Sequence, residues 1–538
     1  MRGADLLIKT LAKAGIKRVF SLSGNQIMPL YDACIDVDIE IIHTRHEAAA
    51  VYMAIAWSQL TGEVGVVMVT AAPGFANSLG PLYSAKASEC PVLFLSGDAP
   101  VSKCGLGAFQ ELPQVSVTES LTKESFRNVC AERLGTQTAR ALRLAATGRP
   151  GPVHMSLPYD MLQTEIATTD LPMKRFFRPD AMYPSNKDVR KLLHAVEASR
   201  RPLVITGPAM NATRNGTILK ELEGVLAVPV VSMESPRGLK DPSLGNLPKN
   251  LKQADLILSL GKSIDFTLAF GAKEHFGENC NWIVVDSEET ARSRAVLNLG
   301  SRLKHTVAAD PLAMARCLSV DSVIPSKAHR QWAEEVADSI KLRNFRTQGP
   351  MPHDEITPAA LCTAVQRHID SSPRSVLICD GGEFGQWAQA CLSGDERLIN
   401  GPSGAIGGSL SFAIAAKLAR PQATIFTLMG DGTIGFHFAE FETAVRLETP
   451  FVAIIGNDEC WNAEHQIQLR DYGPDRLIGC KLSGARYDKA AEGLGGHGEY
   501  VTELSALDGA LERAIASGKP ACVNVEIKGA PAPVSAGH

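Results

Sequence analysis

Short apolar stretches recur along the chain and alternate with amphipathic ones. Most are rich in β-branched residues and end at Gly, Asn or Asp, which is typical of buried parallel strands leaving the carboxyl edge of a sheet. Continuous rather than alternating apolar runs favour strands that are covered on both faces. The pattern predicts an α/β fold with strands in RVFSLSG, VGVVMVTAAPG, PVLFLSGD, PLVITGPA, ADLILSLG, NWIVVDSE, SVLICDGG, ATIFTLMGDG, FVAIIGND and CVNVEIKG.

Two changes in composition, around 168–188 and 339–358, divide the chain into units of similar size. With 538 residues the chain is too long for one ordinary core. We therefore predict three doubly wound domains, at 1–170, 186–335 and 355–530. The first and third share a strand-turn-helix pattern, which fits both an old duplication and the generic doubly wound arrangement.

The charge and the cysteine content of the chain limit the kinds of ligand and partner that are expected. The net charge is −4 with both signs interspersed, so no basic surface for nucleic acid or an anionic membrane is expected. A small, neutral-to-anionic ligand fits better. The 12 cysteines are scattered without a C-x-x-C pair, and no cationic segment precedes an apolar run at the start of the chain, which predicts a cytoplasmic protein. No apolar run reaches the length of a membrane-spanning helix.

The stretch LMGDGTIGFHFAEFETAVRLETPFVAIIGNDE carries a candidate metal site. Asp431 follows one apolar strand between Gly430 and Gly432, and Asn457 follows the next, so both side chains should lie at the same sheet edge. The glycines let backbone N–H groups approach a phosphate. A carboxylate, an amide oxygen and a backbone carbonyl, that of Glu459, suit Mg²⁺ together with diphosphate oxygens and water. Taken alone, the stretch also fits a plain turn followed by a strand-end cap.

Together with segments elsewhere, this stretch resembles the thiamine-diphosphate-dependent enzymes, in the branch that contains acetolactate synthase, oxalyl-CoA decarboxylase and 2-hydroxyacyl-CoA lyase. The resemblance extends over nearly the whole chain. It implies a pyrimidine-binding, a central and a diphosphate-binding domain, with thiamine diphosphate and Mg²⁺ as cofactors. It also implies a homodimer or homotetramer whose active sites lie at the subunit interface.

The resemblance implies roles for further residues. Glu47, in RHEAAAVYMAIA, matches the glutamate that protonates the aminopyrimidine of the cofactor, although its alanine-rich context alone also fits an exposed helix. Ile406 matches the large apolar residue that holds the cofactor in its V shape. The residues expected to bind the cofactor are Pro73, Gly74, Asn77, Gly382, Glu383, Phe384, Ala405, Ile406, Gly430, Gly432 and Thr433.

Substrate contacts are expected from Gln110, which with Phe109 matches the Phe-Gln pair of the synthases. Gln110 would donate a hydrogen bond to a substrate carbonyl or carboxylate. Asn25 lies where the family varies its residue with the substrate, and an ordinary turn residue is the alternative.

Glu464 and His465 follow Trp461 on a helix expected to border the pocket, where they would be suited to proton transfer. His46, next to Glu47, is a similar candidate. A structural histidine is the alternative in both cases.

The sequence departs from the family pattern at two places. Gly456-Asn457 replaces the usual Asn-Asn, which keeps the ligand position. Glu383-Phe384 replaces the Gln-His of the synthases and adds a carboxylate near a dianionic group, so either Glu383 turns away or this loop differs.

The sequence features that distinguish the synthases from the acyl-CoA lyases conflict in this chain. The central unit lacks the Gly-rich turn and arginines through which the synthases bind FAD, so FAD is not expected, and no motif supports another nucleotide there. Its GKSIDFTLAFG resembles the acyl-CoA lyases, whereas the tail KGAPAPVSAGH lacks a basic lid for a CoA ester. The preferred prediction is decarboxylation of a 2-oxo acid with carboligation. Cleavage of a 2-hydroxyacyl-CoA, decarboxylation of oxalyl-CoA and an inactive binding homologue are the alternatives.

Overall fold

The computed structural model describes residues 1–167, 170–320, 326–342 and 355–533. Within these ranges 17 strands form three sheets, each with all strands parallel. Alternate residues of the central strands join different cores: Val204 and Leu258 pack on one face, and Leu203 and Ile257 on the other. The protein therefore has the predicted α/β architecture of three parallel-sheet domains.

The first sheet has the strand order β2-β1-β3-β4-β6-β5. Its strands are β1 (Arg18–Ser21), β2 (Glu40–His43), β3 (Gly65–Val69), β4 (Val92–Asp98), β5 (Glu124–Arg127) and β6 (Pro152–Pro158). The accompanying helices are α1 (Gly3–Ala14), α2 (Met28–Ile35), α3 (Glu47–Thr61), α4 (Pro73–Asn77), α5 (Leu79–Ala87), α6 (Gln114–Thr118), α7 (Leu134–Ala146) and α8 (Tyr159–Gln163).

The second sheet has the order β11-β10-β9-β7-β8. Its strands are β7 (Pro202–Thr206), β8 (Val230–Ser232), β9 (Leu256–Leu260), β10 (Asn281–Val285) and β11 (Leu303–Val307). The accompanying helices are α9 (Asn186–Ala198), α10 (Ala212–Leu226), α11 (Leu247–Leu251), α12 (Glu289–Leu299), α13 (Pro311–Val320) and α14 (Lys327–Lys341).

The third sheet, β13-β12-β14-β15-β17-β16, repeats the relative order of the first. Its strands are β12 (Ser375–Cys379), β13 (Glu396–Ile399), β14 (Thr424–Gly430), β15 (Val452–Asn457), β16 (His497–Val501) and β17 (Ala521–Glu526). The accompanying helices are α15 (Pro358–Ser371), α16 (Gly382–Cys391), α17 (Ser409–Ala419), α18 (Asp431–Ile434), α19 (Glu440–Arg446), α20 (Asn462–Tyr472), α21 (Tyr487–Gly493) and α22 (Leu504–Ala516).

The predicted domain boundaries fall partly outside the described residues, at 168–169 and 343–354. Helix α14 continues past the predicted end of the central unit, and its Trp332 and Val336 pack into the central core. The boundaries themselves stay predictions. Within the part of the chain that the structure describes, no helix is long and apolar enough to cross a membrane.

The first and third sheets are joined by a helix pair. Helix α3 packs along α17, with Tyr52 edge-on to Phe412 at a centroid distance of 5.9 Å. At the far end of the pair, Arg420 Nη2 donates to the carbonyl of Leu60 at 2.6 Å. One hydrophobic core runs across both helices and both sheets. The start of α3, which carries Glu47, is thereby fixed relative to the third sheet.

Candidate active site

Asp431 and Asn457 lie at the same edge of the third sheet, as predicted. Strands β14 and β15 are neighbours, with Gly430 paired to Gly456 immediately before the two residues. Both side chains are buried. An Asp431 carboxylate oxygen accepts the Cys460 N–H at 3.1 Å. The Asn457 amide donates to Asn524 Oδ1 at 3.2 Å, while its oxygen accepts the Glu459 N–H at 3.3 Å, so the expected cap interaction is also present.

A second carboxylate, Asp458, lies beside Asp431. Burial raises the pKa of Asp431 to about 6, and burial together with the charge of Asp431 raises the pKa of Asp458 to about 7. Placing the half-buried carboxylate of Asp458 beside the buried one of Asp431 is unfavourable without a cation. Within the described residues no cluster of three or more His, Cys, Asp or Glu side chains forms a metal site. Mg²⁺ needs only one or two carboxylates, because phosphate, amide and water oxygens complete its shell, so this donor set fits it.

Glu459 has the left-handed conformation, with φ of 54°. Left-handed backbone at a non-glycine residue costs free energy and often marks functional sites. The Glu459 carbonyl, the predicted third donor, accepts the Leu482 N–H at 2.7 Å. A carbonyl oxygen has two lone pairs, which leaves one for a metal ion.

A cavity of about 220 Å³ opens above Asp431. Its walls come from the loops after β12, β13, β14 and β15 and from the start of α20. The predicted residues among its lining are Gly382, Glu383, Phe384, Ile406, Gly430, Asp431, Gly432, Thr433 and Glu464. Ala405 lies next to Ile406, and its carbonyl accepts Asn400 Nδ2 at 3.0 Å.

Glu47 forms a second cluster, in the first domain. It begins α3 and is only 8% exposed, which does not fit the alternative of an exposed helix glutamate. Its carboxylate accepts Asn77 Nδ2 at 3.0 Å, and a Cβ at Gly74 would lie 3.1 Å from the same carboxylate. Pro73 is the first residue of the helix that carries Asn77. None of these four residues lines the cavity around Asp431 in the single chain.

Two glycines accommodate aromatic rings at the cavity wall. A Cβ at Gly456 would lie 2.5 Å from Cγ of Phe384, and one at Gly432 would lie 2.7 Å from the Trp461 ring. Real Cβ atoms do not approach that closely. The two departures from the family pattern are therefore coupled, because the Phe384 ring occupies the space that a side chain at position 456 would need.

Glu383 turns toward the C-terminal tail. Its carboxylate accepts the Ala532 N–H, and it lies near the guanidinium of Arg237 from the central domain. Arg237 Nη1 in turn donates to the carbonyl of Pro533 at 3.2 Å. Burial raises the pKa of Glu383. This explains how a carboxylate is tolerated in a loop expected to contact phosphate.

The predicted substrate contacts occupy different environments. Phe109 is 74% exposed, and the neighbouring Gln110 has φ of 59° and a buried Oε1 without a hydrogen-bond partner. Asn25 is exposed. Glu464 lines the cavity around Asp431, whereas its neighbour His465 does not.

His46 caps α3, since its Nδ1 accepts the Ala48 N–H at 3.1 Å. Its ring lies 5.4 Å from that of His437. The expected structural alternative for this histidine is therefore present, and proton transfer by His46 remains a prediction.

The sequence analysis missed two buried acids that accept hydrogen bonds from backbone N–H groups next to candidate site residues. Asp380 follows β12 and binds the loop that carries Ile406. Glu440 starts α19 and accepts the N–H groups of Arg45 and His46, immediately before Glu47, at 3.0 and 3.1 Å. Asp380 had a visible signal, because an acid between a strand and two glycines repeats the pattern of Asp431. Glu440 had none, since its partners lie almost 400 residues away.

A separate cleft lies at the carboxyl ends of the central strands, where it meets the first domain. Arg149 lines it, contacting the carboxylates of Glu89 and Asp286 and donating to the Gly261 carbonyl at 3.1 Å. An ion-pair cluster thus forms part of the wall. The expectation that FAD is not a cofactor stays a prediction.

Comparison with known proteins decides the family. Residues 1–117 match the model of the N-terminal TPP binding domain of thiamine pyrophosphate enzymes, and residues 380–525 match the C-terminal TPP binding domain. A probable acetolactate synthase of Mycobacterium bovis is 30% identical over 534 residues, which cover 98% of this chain and 95% of that protein. The chain belongs to the thiamine pyrophosphate enzyme family.

Relatives of the other branch are equally similar. The 2-hydroxyacyl-CoA lyase 2 of Danio rerio is 29% identical over 581 residues, covering 98% of this chain and 91% of that protein. The human 2-hydroxyacyl-CoA lyase 2 is 30% identical over 548 residues, covering 92% and 84%. This thiamine pyrophosphate enzyme thus falls in the acetolactate synthase and 2-hydroxyacyl-CoA lyase branch.

Proposed function

We propose that the protein is a thiamine-diphosphate- and Mg²⁺-dependent enzyme that decarboxylates a 2-oxo acid and joins the remaining fragment to a second carbonyl compound, as an acetolactate synthase does. The observation that carries the proposal is the pair Asp431 and Asn457, buried at adjacent strand ends beside a cavity lined by Ile406. When bound, the cofactor supplies a carbanion that adds to the substrate carbonyl and accepts electrons as the carbon–carbon bond breaks.

The proposal assigns a role to each of these side chains, as the resemblance to the family implies. Asp431, Asn457 and the Glu459 carbonyl would hold Mg²⁺, and Gly430, Gly432 and Thr433 would contact the diphosphate. Ile406 would support the bend of the cofactor. Glu47, held by Asn77, would exchange a proton with the aminopyrimidine.

We place the complete site between two subunits. The Glu47 cluster and the cavity around Asp431 are separate in one chain. The 74% exposed side chain of Phe109 would lie in the surface that a second copy covers. The proposal therefore includes a homodimer or a homotetramer. It also includes the cytoplasmic location expected from the scattered cysteines.

The second candidate is cleavage of a 2-hydroxyacyl-CoA. The relatives named 2-hydroxyacyl-CoA lyase 2 favour it, because they match this chain as well as the synthase does. The same cofactor chemistry would serve either substrate. Oxalyl-CoA is a further substrate of this type, and an inactive binding homologue is the remaining alternative.

A proton NMR time course tests these possibilities. Purified protein is supplied with thiamine diphosphate, Mg²⁺ and pyruvate, without FAD, and in parallel with a 2-hydroxyacyl-CoA. Acetolactate is the expected product. Acetaldehyde alone would indicate decarboxylation without carboligation. Consumption of only the CoA ester would replace the proposal with the lyase, and no turnover of either by cofactor-loaded protein would contradict both. Asp431→Ala is the matched control and should be inactive.

A further inference from the structure

Asp380 is a buried carboxylate that accepts several hydrogen bonds from two of the segments that line the cavity. It follows β12 and is 1% exposed. Its Oδ1 accepts the Gly381 N–H at 2.7 Å and the Gly407 N–H at 3.1 Å. Its Oδ2 accepts the Ser409 N–H at 3.1 Å and the Ser409 hydroxyl. Every one of these partners is a donor, so the hydrogen bonds favour the ionised carboxylate, whereas burial raises the pKa of Asp380.

These hydrogen bonds join two separate loops. Gly381 and the first turn of α16, which carries Gly382, Glu383 and Phe384, form the 381–384 loop, whereas Gly407 and Ser409 follow Ile406 and lead into α17. The loops also touch directly, since a Cβ at Gly381 would lie 2.6 Å from Cγ2 of Ile406. A shift of either loop would therefore move the other.

We propose that Asp380 is a positioning residue that holds the Ile406 loop and the 381–384 loop in one arrangement, so that the residues expected to bend the cofactor and those expected to face its diphosphate keep a fixed spacing. This inference rests on the proposed function. Asp380 itself does not line the cavity and acts through the backbone of both loops.

Asp380→Asn is the informative change. The side chain keeps its size, but the amide places two N–H donors where the carboxylate accepts donors. At least one pair of donors then faces each other in a buried site, which forces a loop to move. Loss of a residue that orients a binding group typically costs about 10-fold to 100-fold in affinity or activity.

Asp98→Asn is the matched control. Asp98 ends β4 of the first sheet, is 4% exposed, and accepts hydrogen bonds from Arg127 Nε at 2.7 Å and Ser156 Oγ at 2.6 Å. The same isosteric change there disturbs a buried carboxylate away from both loops, although Asp98 is also paired with Arg127. It should lower the stability of the protein without moving either loop.

The experiment compares wild type, Asp380→Asn and Asp98→Asn by thermal unfolding, by the Kd of thiamine diphosphate in Mg²⁺ and by kcat and KM. Asp380→Asn should raise the Kd or lower kcat by about 10-fold or more, with substrate KM within about twofold. Asp98→Asn should change Kd and kcat by less than about twofold, because it touches neither loop.

Two results would overturn the inference: cofactor binding and kcat of Asp380→Asn within twofold of wild type, or equal losses in Asp98→Asn. If Asp380→Asn does not fold, Ser409→Ala carries the test, because it removes one donor and should still weaken cofactor binding more than Ser156→Ala does at Asp98. Failure of the wild type to bind thiamine diphosphate would instead contradict the proposed function.

Discussion

The first and third sheets have the same strand order but different chemistry at their carboxyl edges. After the third strand along each unit, the first sheet continues into Pro73 and Gly74, of which Gly74 lies close to Glu47, and the third sheet continues into Asp431. After the first strand the corresponding residues are Asn25 and Asp380. The edge of the first sheet thus carries Glu47, a candidate for proton transfer, and the edge of the third carries the acidic candidate site for metal and phosphate. The frame is shared, and the strand-end residues decide the function.

Replacing Glu47 by Gln should have the largest effect, and it should affect turnover much more than cofactor binding. The amide keeps the size and the contact with Asn77 but cannot exchange a proton, so kcat should fall by about 10²- to 10⁴-fold. The Kd for thiamine diphosphate in Mg²⁺ should change little, because the expected metal ligands Asp431 and Asn457 lie in the other domain. Steady-state kinetics and titration calorimetry measure the two effects. Glu63→Gln, just beyond the end of the same helix, is the control, and equal activity of both variants would contradict the role of Glu47.

Mixed dimers test whether the two regions meet between subunits. Glu47→Gln and Asp431→Ala are inactive in different domains, so co-expression should give mixed dimers in which one of two sites is intact. Random pairing then restores about a quarter of the wild-type activity. Differently tagged subunits and tandem purification isolate the mixed species. No activity in mixed dimers that are shown to form would mean that each site lies within one chain.

The strands reveal how far sequence reasoning reaches. The ten apolar stretches all contain strands, and all of these lie in the interior of a sheet. The six edge strands, β2, β5, β8, β11, β13 and β16, were not predicted, because an edge strand is short and partly solvated and so lacks a continuous apolar run. The interior strand β6 was missed for another reason. Its buried His154 is polar and is hydrogen-bonded to Ser96 at 2.8 Å, which breaks the pattern.

Some residues of the candidate site could likewise be predicted from the sequence, and others could not. Asp431 and Asn457 could be predicted because each directly follows a strong strand, and neighbouring strand ends meet. Asp380 could have been found from its position between a strand and two glycines, but no local pattern identifies Glu440, because its backbone partners lie in the first domain. The fit of Phe384 over Gly456 was also invisible, since the sequence showed two separate departures and only the fold brings them together.

Gly456→Asn should show that this fit is necessary. The new side chain restores the family's Asn-Asn but collides with the Phe384 ring, and overpacking of this kind costs about 1–3 kcal/mol. Cofactor affinity should fall about tenfold as the 381–384 loop moves. Adding Phe384→His should recover most of the loss. Unfolding and cofactor titrations of both single variants and the double variant give the coupling energy, and simple additivity would contradict the proposed coupling.

The smallest effect is expected at Glu440, which connects the third domain to the residues just before Glu47. Glu440→Leu removes the acceptor for the N–H groups of Arg45 and His46, which should cost about 1–2 kcal/mol of unfolding free energy and lower kcat a few-fold, since Glu47 follows directly. Glu440→Gln keeps an acceptor and should retain activity. Glu442→Leu, on the same helix, controls for loss of charge. Equal kcat in the Leu and Gln variants at position 440 would argue against the link.

The pH dependence of the free energy of unfolding gives a second test of the role of Glu440. Burial raises the pKa of Glu440 from its usual 4.5 to about 7. The folded state therefore holds a proton that the unfolded chain releases, and the stabilisation present below pH 4.5 is lost as the pH rises toward about 7. Glu440→Gln cannot ionise, so its stability relative to wild type should increase across this range. Unfolding curves at several pH values measure the difference, and parallel pH profiles would show that Glu440 does not titrate in this window.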